Sequence, residues 1–122
     1  MVRVALTAFA VDDLRNLDPD IRRRAAKKLL HLSKSGDVGQ PLGRALVGWR
    51  KVVLGNRDWR IIYRMSEDGS EATVWAVLSR GDDQCYRETQ ERIREMGDDH
   101  PVVIPLTAAV DALRSARREL DL

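Results

Sequence analysis

Residues Gly48 to Arg64 read GWRKVVLGNRDWRIIYR, and this stretch decides the fold. Strand-favouring residues, Val52, Val53 and Leu54 on one side and Trp59, Ile61, Ile62 and Tyr63 on the other, flank Gly55-Asn56-Arg57, which predicts two short strands joined by a tight turn. With Asn56 and Arg57 as a two-residue loop, Leu54 faces Trp59 and Val53 faces Arg60. The two-residue period of a strand then sorts the side chains. One face carries Val52, Leu54, Trp59, Ile61 and Tyr63, enough apolar area for a core; the other carries Trp49, Lys51, Val53, Arg60, Ile62 and Arg64. Three cations beside a tryptophan pack poorly against helices and suit phosphate, so this second face is the expected working surface.

Upstream, Val2, Val4 and Leu6 alternate with Arg3, Ala5 and Thr7, the pattern of a half-buried strand. Phe9, Val11, Leu14 and Leu17 suggest a short helix. Asp18-Pro19 starts the next one, since Asp caps free amides and Pro suits the first helical position. Ile21, Ala25, Leu29 and Leu32 form its apolar stripe, with Arg22, Arg23, Arg24, Lys27, Lys28 and Lys34 off it and Gly36 as a stop. Gly36, Gly39, Pro41, Gly43 and Gly48 mark the following loop.

Downstream, Ser66 to Ser70 is turn chemistry. Ala72 to Ser79 alternates again, with Trp75 and Val77 on one side and Val74, Ala76 and Leu78 on the other, both apolar as in a central strand. Arg80 ends it. Asp82 or Asp83 could cap a helix through about Met96 that carries Tyr86 in its first turn. Gly97 to Pro105 reads as a hinge-like connector, and Leu106 to Leu120 as a modest amphipathic helix. The order implies an α+β fold, a small sheet with its helices on one face.

A chain of 122 residues is expected to form one domain. Its single cysteine, Cys85, rules out an internal disulfide and fits a reducing, cytoplasmic setting. The apolar start is short and interrupted, the mark of a first strand rather than a signal peptide, and no run approaches the ~20 apolar residues that span a membrane. Residues 1–64 hold 14 Lys plus Arg against 6 Asp plus Glu, and residues 65–122 hold 7 against 13. The first half is therefore the candidate to face nucleic acid.

Lys51, Arg60 and Arg80 converge if the register is right, with Tyr86 six residues beyond Arg80. His31 and His100 are isolated and no metal-ligand cluster or Ser/His/Asp triad is visible, so no cofactor is expected. A cationic site of this kind suits attack of an RNA 2′-hydroxyl on the adjacent phosphate. The substrate brings its own nucleophile, and the protein need only place it, neutralise charge on the phosphorane and move protons. Arginine can hold two phosphate oxygens at once, and Trp49 or Tyr86 could stack on an exposed base. Arg50, Arg57 and Arg64 of the hairpin, with Arg22, Arg23 and Lys27 of the basic helix, are the further candidates for RNA contact.

WRKVVLGNRDWRIIYR together with VLSRGDDQCY resembles the RelE/ParE toxins of bacterial toxin–antitoxin pairs, over about residues 2 to 96. The resemblance implies a small twisted, mainly antiparallel sheet with two N-terminal helices on one face and a C-terminal helix. Residues 1–96 would be the toxin domain, and residues 97–122 a connector and extra helix of the same domain. The RelE branch implies metal-independent cleavage of messenger RNA in the ribosomal A site, with Lys51, Arg60, Arg80 and Tyr86 at the catalytic positions. It also implies contact with ribosomal RNA and a cognate antitoxin in a hetero-oligomer, with no membrane partner. One position departs from the branch: Val53 stands where a second lysine is usual, which weakens Lys51 as a base. The ParE branch, which poisons DNA gyrase, lacks the complete set and is one alternative; a non-catalytic module that binds RNA or an antitoxin is the other.

Overall fold

A computed structural model of the chain describes residues 2–36, 39–43, 46, 48–54, 58–79, 81, 84–97 and 102–111. Strand β1 (Arg3–Thr7) leads into helices α1 (Ala8–Arg15) and α2 (Pro19–Ser35), followed by β2 (Gln40–Pro41), β3 (Trp49–Leu54), β4 (Trp59–Met65), β5 (Glu71–Ser79), α3 (Gln84–Met96) and β6 (Val103–Pro105). Residues 106–111 are helical. The strands form one sheet in the order β2-β3-β4-β5-β1-β6, with β1 parallel to β5 and every other pair antiparallel.

Local chemistry accounts for the first helices. Thr7 ends β1 and its hydroxyl accepts the Ala10 amide at 3.2 Å, capping α1. Pro19 opens α2, although Asp18 makes no side-chain capping bond. Gly36 closes it at φ 83°, a left-handed conformation that glycine adopts without strain. Arg22 of α2 turns back to the end of α1: Nε donates to the Leu14 carbonyl at 3.0 Å, and Nη2 to those of Arg15 and Leu17 at 3.1 and 3.0 Å. These bonds give acceptor carbonyls at and just past the end of α1 a side-chain donor, in addition to the Leu17 amide that Leu14 already accepts, and they fix the α1–α2 corner.

The hairpin register is the expected one, with Leu54 opposite Trp59 and Val53 opposite Arg60. The main core lies between the sheet and α1 and α2, built from Leu6, Leu14, Leu29, Leu32, Leu54, Ile61 and Tyr63 among others. The Tyr63 hydroxyl reaches through it to accept the Gly39 amide at 2.8 Å, which seats Gln40–Pro41 beside Arg50 and Lys51. A Cβ on Gly39 would lie 2.8 Å from Tyr63 Cζ, so only glycine fits there.

Three expectations need correction. In β5, Ile62 pairs with Ala76 while Tyr63 pairs with Val74, so Trp75 is an extra residue, a β-bulge. Trp75 therefore joins Ala76 in a second apolar cluster, and Val74 and Val77 share the main core, unlike the regular alternation. The helices also lie on both faces: α3 contributes Cys85, Tyr86, Ile93 and Met96 to that second cluster, with Leu46, Trp49 and Ile62. Finally, Val103–Pro105 is an edge strand on β1 rather than a plain connector, and Leu106 and Ala109 behind it are buried in the main core.

One polar contact joins the two sides. The described pairing of β1 with β5 ends at Val74, and the Trp75 carbonyl and Val77 amide beyond it bond to side chains. Asp13 of α1 accepts the Val77 amide at 2.9 Å; Arg92 of α3 donates to the Trp75 carbonyl at 3.0 Å and to both Asp13 oxygens at 2.6 and 2.8 Å. Arg92 also lies over the Phe9 ring at 5.3 Å. Burial pushes the Asp13 carboxyl above its ordinary value against the bonds from Arg92 and Val77. The pair is therefore costly to form and costlier to break.

Arg92→Met should destabilise the fold by about 3–5 kcal/mol in urea denaturation, because it leaves Asp13 buried without its cation. Asp13→Leu combined with Arg92→Met should recover part of that loss, but not all, since two β5 backbone groups stay without partners. Single variants within about 1 kcal/mol of the parent would contradict this account. A second prediction concerns the β4–β5 turn. There Asp68 accepts the Ser70 hydroxyl, the Ser66 hydroxyl and the Ser70 amide, bonds that hold its carboxyl down at about 2. A depressed carboxyl stabilises the fold above its unfolded value of about 3.9, and that contribution disappears as pH falls through about 2. Carbon-13 NMR should find the Asp68 midpoint near 2, and a midpoint near 4 would show that the turn bonds do not form in solution.

Candidate nucleic-acid interface

Strand alternation brings Lys51 of β3 and Arg60 of β4 to the α3 side of the sheet. Their neighbours set their character. Arg60 lies directly across from Val53 on one side and Leu78 on the other, and is only 6% exposed. Its Nη1 donates to the Trp59 carbonyl at 3.1 Å. Lys51 lies opposite Ile62 and is half-buried. Two residues along β4 from Ile62 in either direction stand Arg60 and Arg64, so Lys51 has an arginine on each diagonal. Such neighbours lie about 7–8 Å apart, within reach of long side chains.

Tyr86 is half-buried on α3 and packs against the second cluster, on the same side of the sheet as Lys51. Arg80 and Arg57 lie outside the described residues. Trp49 belongs to this side too, but it is 4% exposed and meets Trp75 edge to face, with ring centroids 5.5 Å apart. This corrects its expected role: an enclosed indole is a support and not a surface for stacking bases. Arg64, directly across from Trp49, holds its guanidinium over that ring at 5.8 Å.

The remaining candidates are elsewhere. Arg50 alternates with Lys51 and so shares the α2 side with Val52, where it is half-buried. Arg23 and Lys27 are exposed on α2, whose apolar stripe faces the main core, and Arg23 pairs with Asp20 at 2.6 Å. Arg22 is occupied with the α1 carbonyls. Among the described residues, the expected cations therefore fall into two sets on opposite sides of the sheet.

The α3 side is thus not the open cationic surface that the hairpin alone implied. It is a second small core with a rim of positive charge. The helical spacing of Cys85, Tyr86, Ile93 and Met96 along α3 was a signal for it, since that stripe needs a surface to cover. Arg92, buried on the same helix, could not be singled out among the many arginines without its partner Asp13.

Residues 4–84 match the model of a family described as the ParE toxin of type II toxin–antitoxin systems, parDE. Comparison with curated proteins finds no match. Among solved structures, the RelBE2 toxin–antitoxin complex of Mycobacterium tuberculosis is 28% identical, with a TM-score of 0.56 over 65% of this chain and 98% of that one. A double arginine-to-alanine variant of the E. coli toxin RelE in the free state is 21% identical, with a TM-score of 0.61 over 76% of this chain and 99% of that one. The YoeB/ParE toxin of Agrobacterium tumefaciens is 16% identical, with a TM-score of 0.55 over 65% and 99% of the two chains. These last two establish a common fold. With its sheet order, its helices and the match over residues 4–84 in agreement, this chain belongs to the ParE toxin family, within the RelE/ParE toxins of type II toxin–antitoxin systems.

Proposed function

We propose that this toxin is an endoribonuclease that cuts messenger RNA in the ribosomal A site by 2′-hydroxyl attack on the adjacent phosphate, with side chains supplying the positive charge. The observation that carries the reading is that Lys51 and Arg60 leave adjacent strands on the same side of the sheet, where α3 brings Tyr86. Lys51, less enclosed than Arg60, would contact the phosphate or take the 2′-hydroxyl proton. Arg60, enclosed by apolar neighbours, would act through a fixed charge in surroundings that screen it weakly. Arg80 remains a proposed fourth member on the strength of the motif alone. Ribosomal RNA would help to pose the substrate.

A cognate antitoxin would hold the toxin inactive in a hetero-oligomer, as the relatives solved as toxin–antitoxin complexes suggest. The exposed basic face of α2, with Arg23, Lys27 and the half-exposed Leu30, offers an acidic, apolar-anchored segment a second place to bind.

A second reading, inhibition of DNA gyrase, is favoured by one specific observation. Val53 lies directly opposite Arg60, so the position that would add a second lysine contributes an uncharged isopropyl group instead.

Ribosome profiling after brief induction should show transcripts broken within ribosome-bound codons. Lys51→Ala should lower cutting about 10²–10⁴-fold, the usual worth of a group that moves a proton or stabilises charge, while the variant still folds. Intact transcripts together with a DNA-damage response would select gyrase and overturn the nuclease reading.

A further inference from the structure

The accessible cation beside Lys51 is Arg64. Arg60 is 6% exposed, whereas Lys51 and Arg64 are both half-buried, diagonal neighbours on the α3 side of the β3–β4 pair. Arg64 also has a defined seat. The bulge puts Trp75 under Trp49, the edge-to-face contact fixes the Trp49 ring, and Arg64 lies over that ring. An arginine held by an aromatic face loses less freedom when it binds an anion, and its planar fork offers two donors to phosphate oxygens.

We propose that Lys51 and Arg64 form a clamp for one RNA phosphodiester, with Arg64 supplying the accessible second cation that Val53 does not. The inference rests on the proposed function for the nature of the ligand, and moves the phosphate from the Arg60 end of β4 towards its Arg64 end. The chemistry favours phosphodiester over carboxylate because a lysine and a stacked guanidinium on neighbouring strands present donors from two directions to a tetrahedral anion.

The test is binding, not cleavage. A short single-stranded RNA made uncleavable by one 2′-deoxy substitution is titrated into the full chain, with the Trp49 indole resonance and calorimetry as readouts over a range of salt. The parent should bind and shift Trp49. Arg64→Gln removes the cation but keeps a polar, unbranched side chain; it should weaken binding about tenfold and reduce the slope of log K against log salt by about 0.7, the share of one phosphate contact on a single strand. Adding Val53→Lys to Arg64→Gln should restore most of the slope. The clamp is overturned if Arg64→Gln binds with the parent's affinity and slope, if the parent does not bind the oligonucleotide, or if it binds only an Asp/Glu-rich peptide. Because cleavage is not read, oligonucleotide binding lost in Arg64→Gln would sustain the clamp even where ribosome-bound message proves uncut, the result that removes the nuclease reading.

Discussion

One extra residue in the central strand shapes the functional side of this molecule. A regular β5 would place Trp75 with Val77 in the core under α1 and α2. Because Trp75 is bulged, it turns to the other side with Ala76, and two indoles meet there instead of one. Bulges of this kind re-aim a side chain at little cost in pairing, since the ladder resumes on either side. The result is an aromatic floor on the α3 side of the sheet, beside the β3–β4 pair. Arg64 rests on it, and Lys51 stands beside it.

The bulge lies next to the point where Asp13 and Arg92 close the molecule. The Trp75 carbonyl and Val77 amide sit just past the described pairing with β1, and the two side chains take them up while bonding to each other. An apolar contact could hold α3 against the sheet, but would leave those backbone groups without partners. The ion pair is thus a link of α1, β5 and α3. It accounts for a helix with a low apolar content lying on a buried face.

Much of this was legible in the residues. The hairpin register followed from a two-residue loop and a strict period, and Pro19 and Gly36 mark the ends of α2 because each has a backbone preference that few other residues share. The bulge was not legible: Thr73 to Leu78 alternates plausibly without it, and only pairing with β4 reveals the surplus residue. Strand β6 was hidden because three residues with a proline carry almost no strand signal, and their pairing with β1 is a long-range contact. For the site, side of the sheet was readable and burial was not. Arg60 and Trp49 look like exposed working residues until Leu78 of β5 stands beside the one and Trp75 meets the other, and Arg22 looks like a surface cation until the end of α1 claims it.

The seat of Arg64 depends on Trp75 facing Trp49. Nuclear Overhauser spectroscopy on the isotope-labelled protein measures this directly. The expected result is a set of contacts between the Trp49 and Trp75 ring protons, with Trp75 also near Cys85 and Ile62. Contacts from Trp75 to Leu14 or Leu29 in the core under the first two helices would mean that β5 alternates without a bulge, and that the floor beneath Arg64 and Lys51 does not exist.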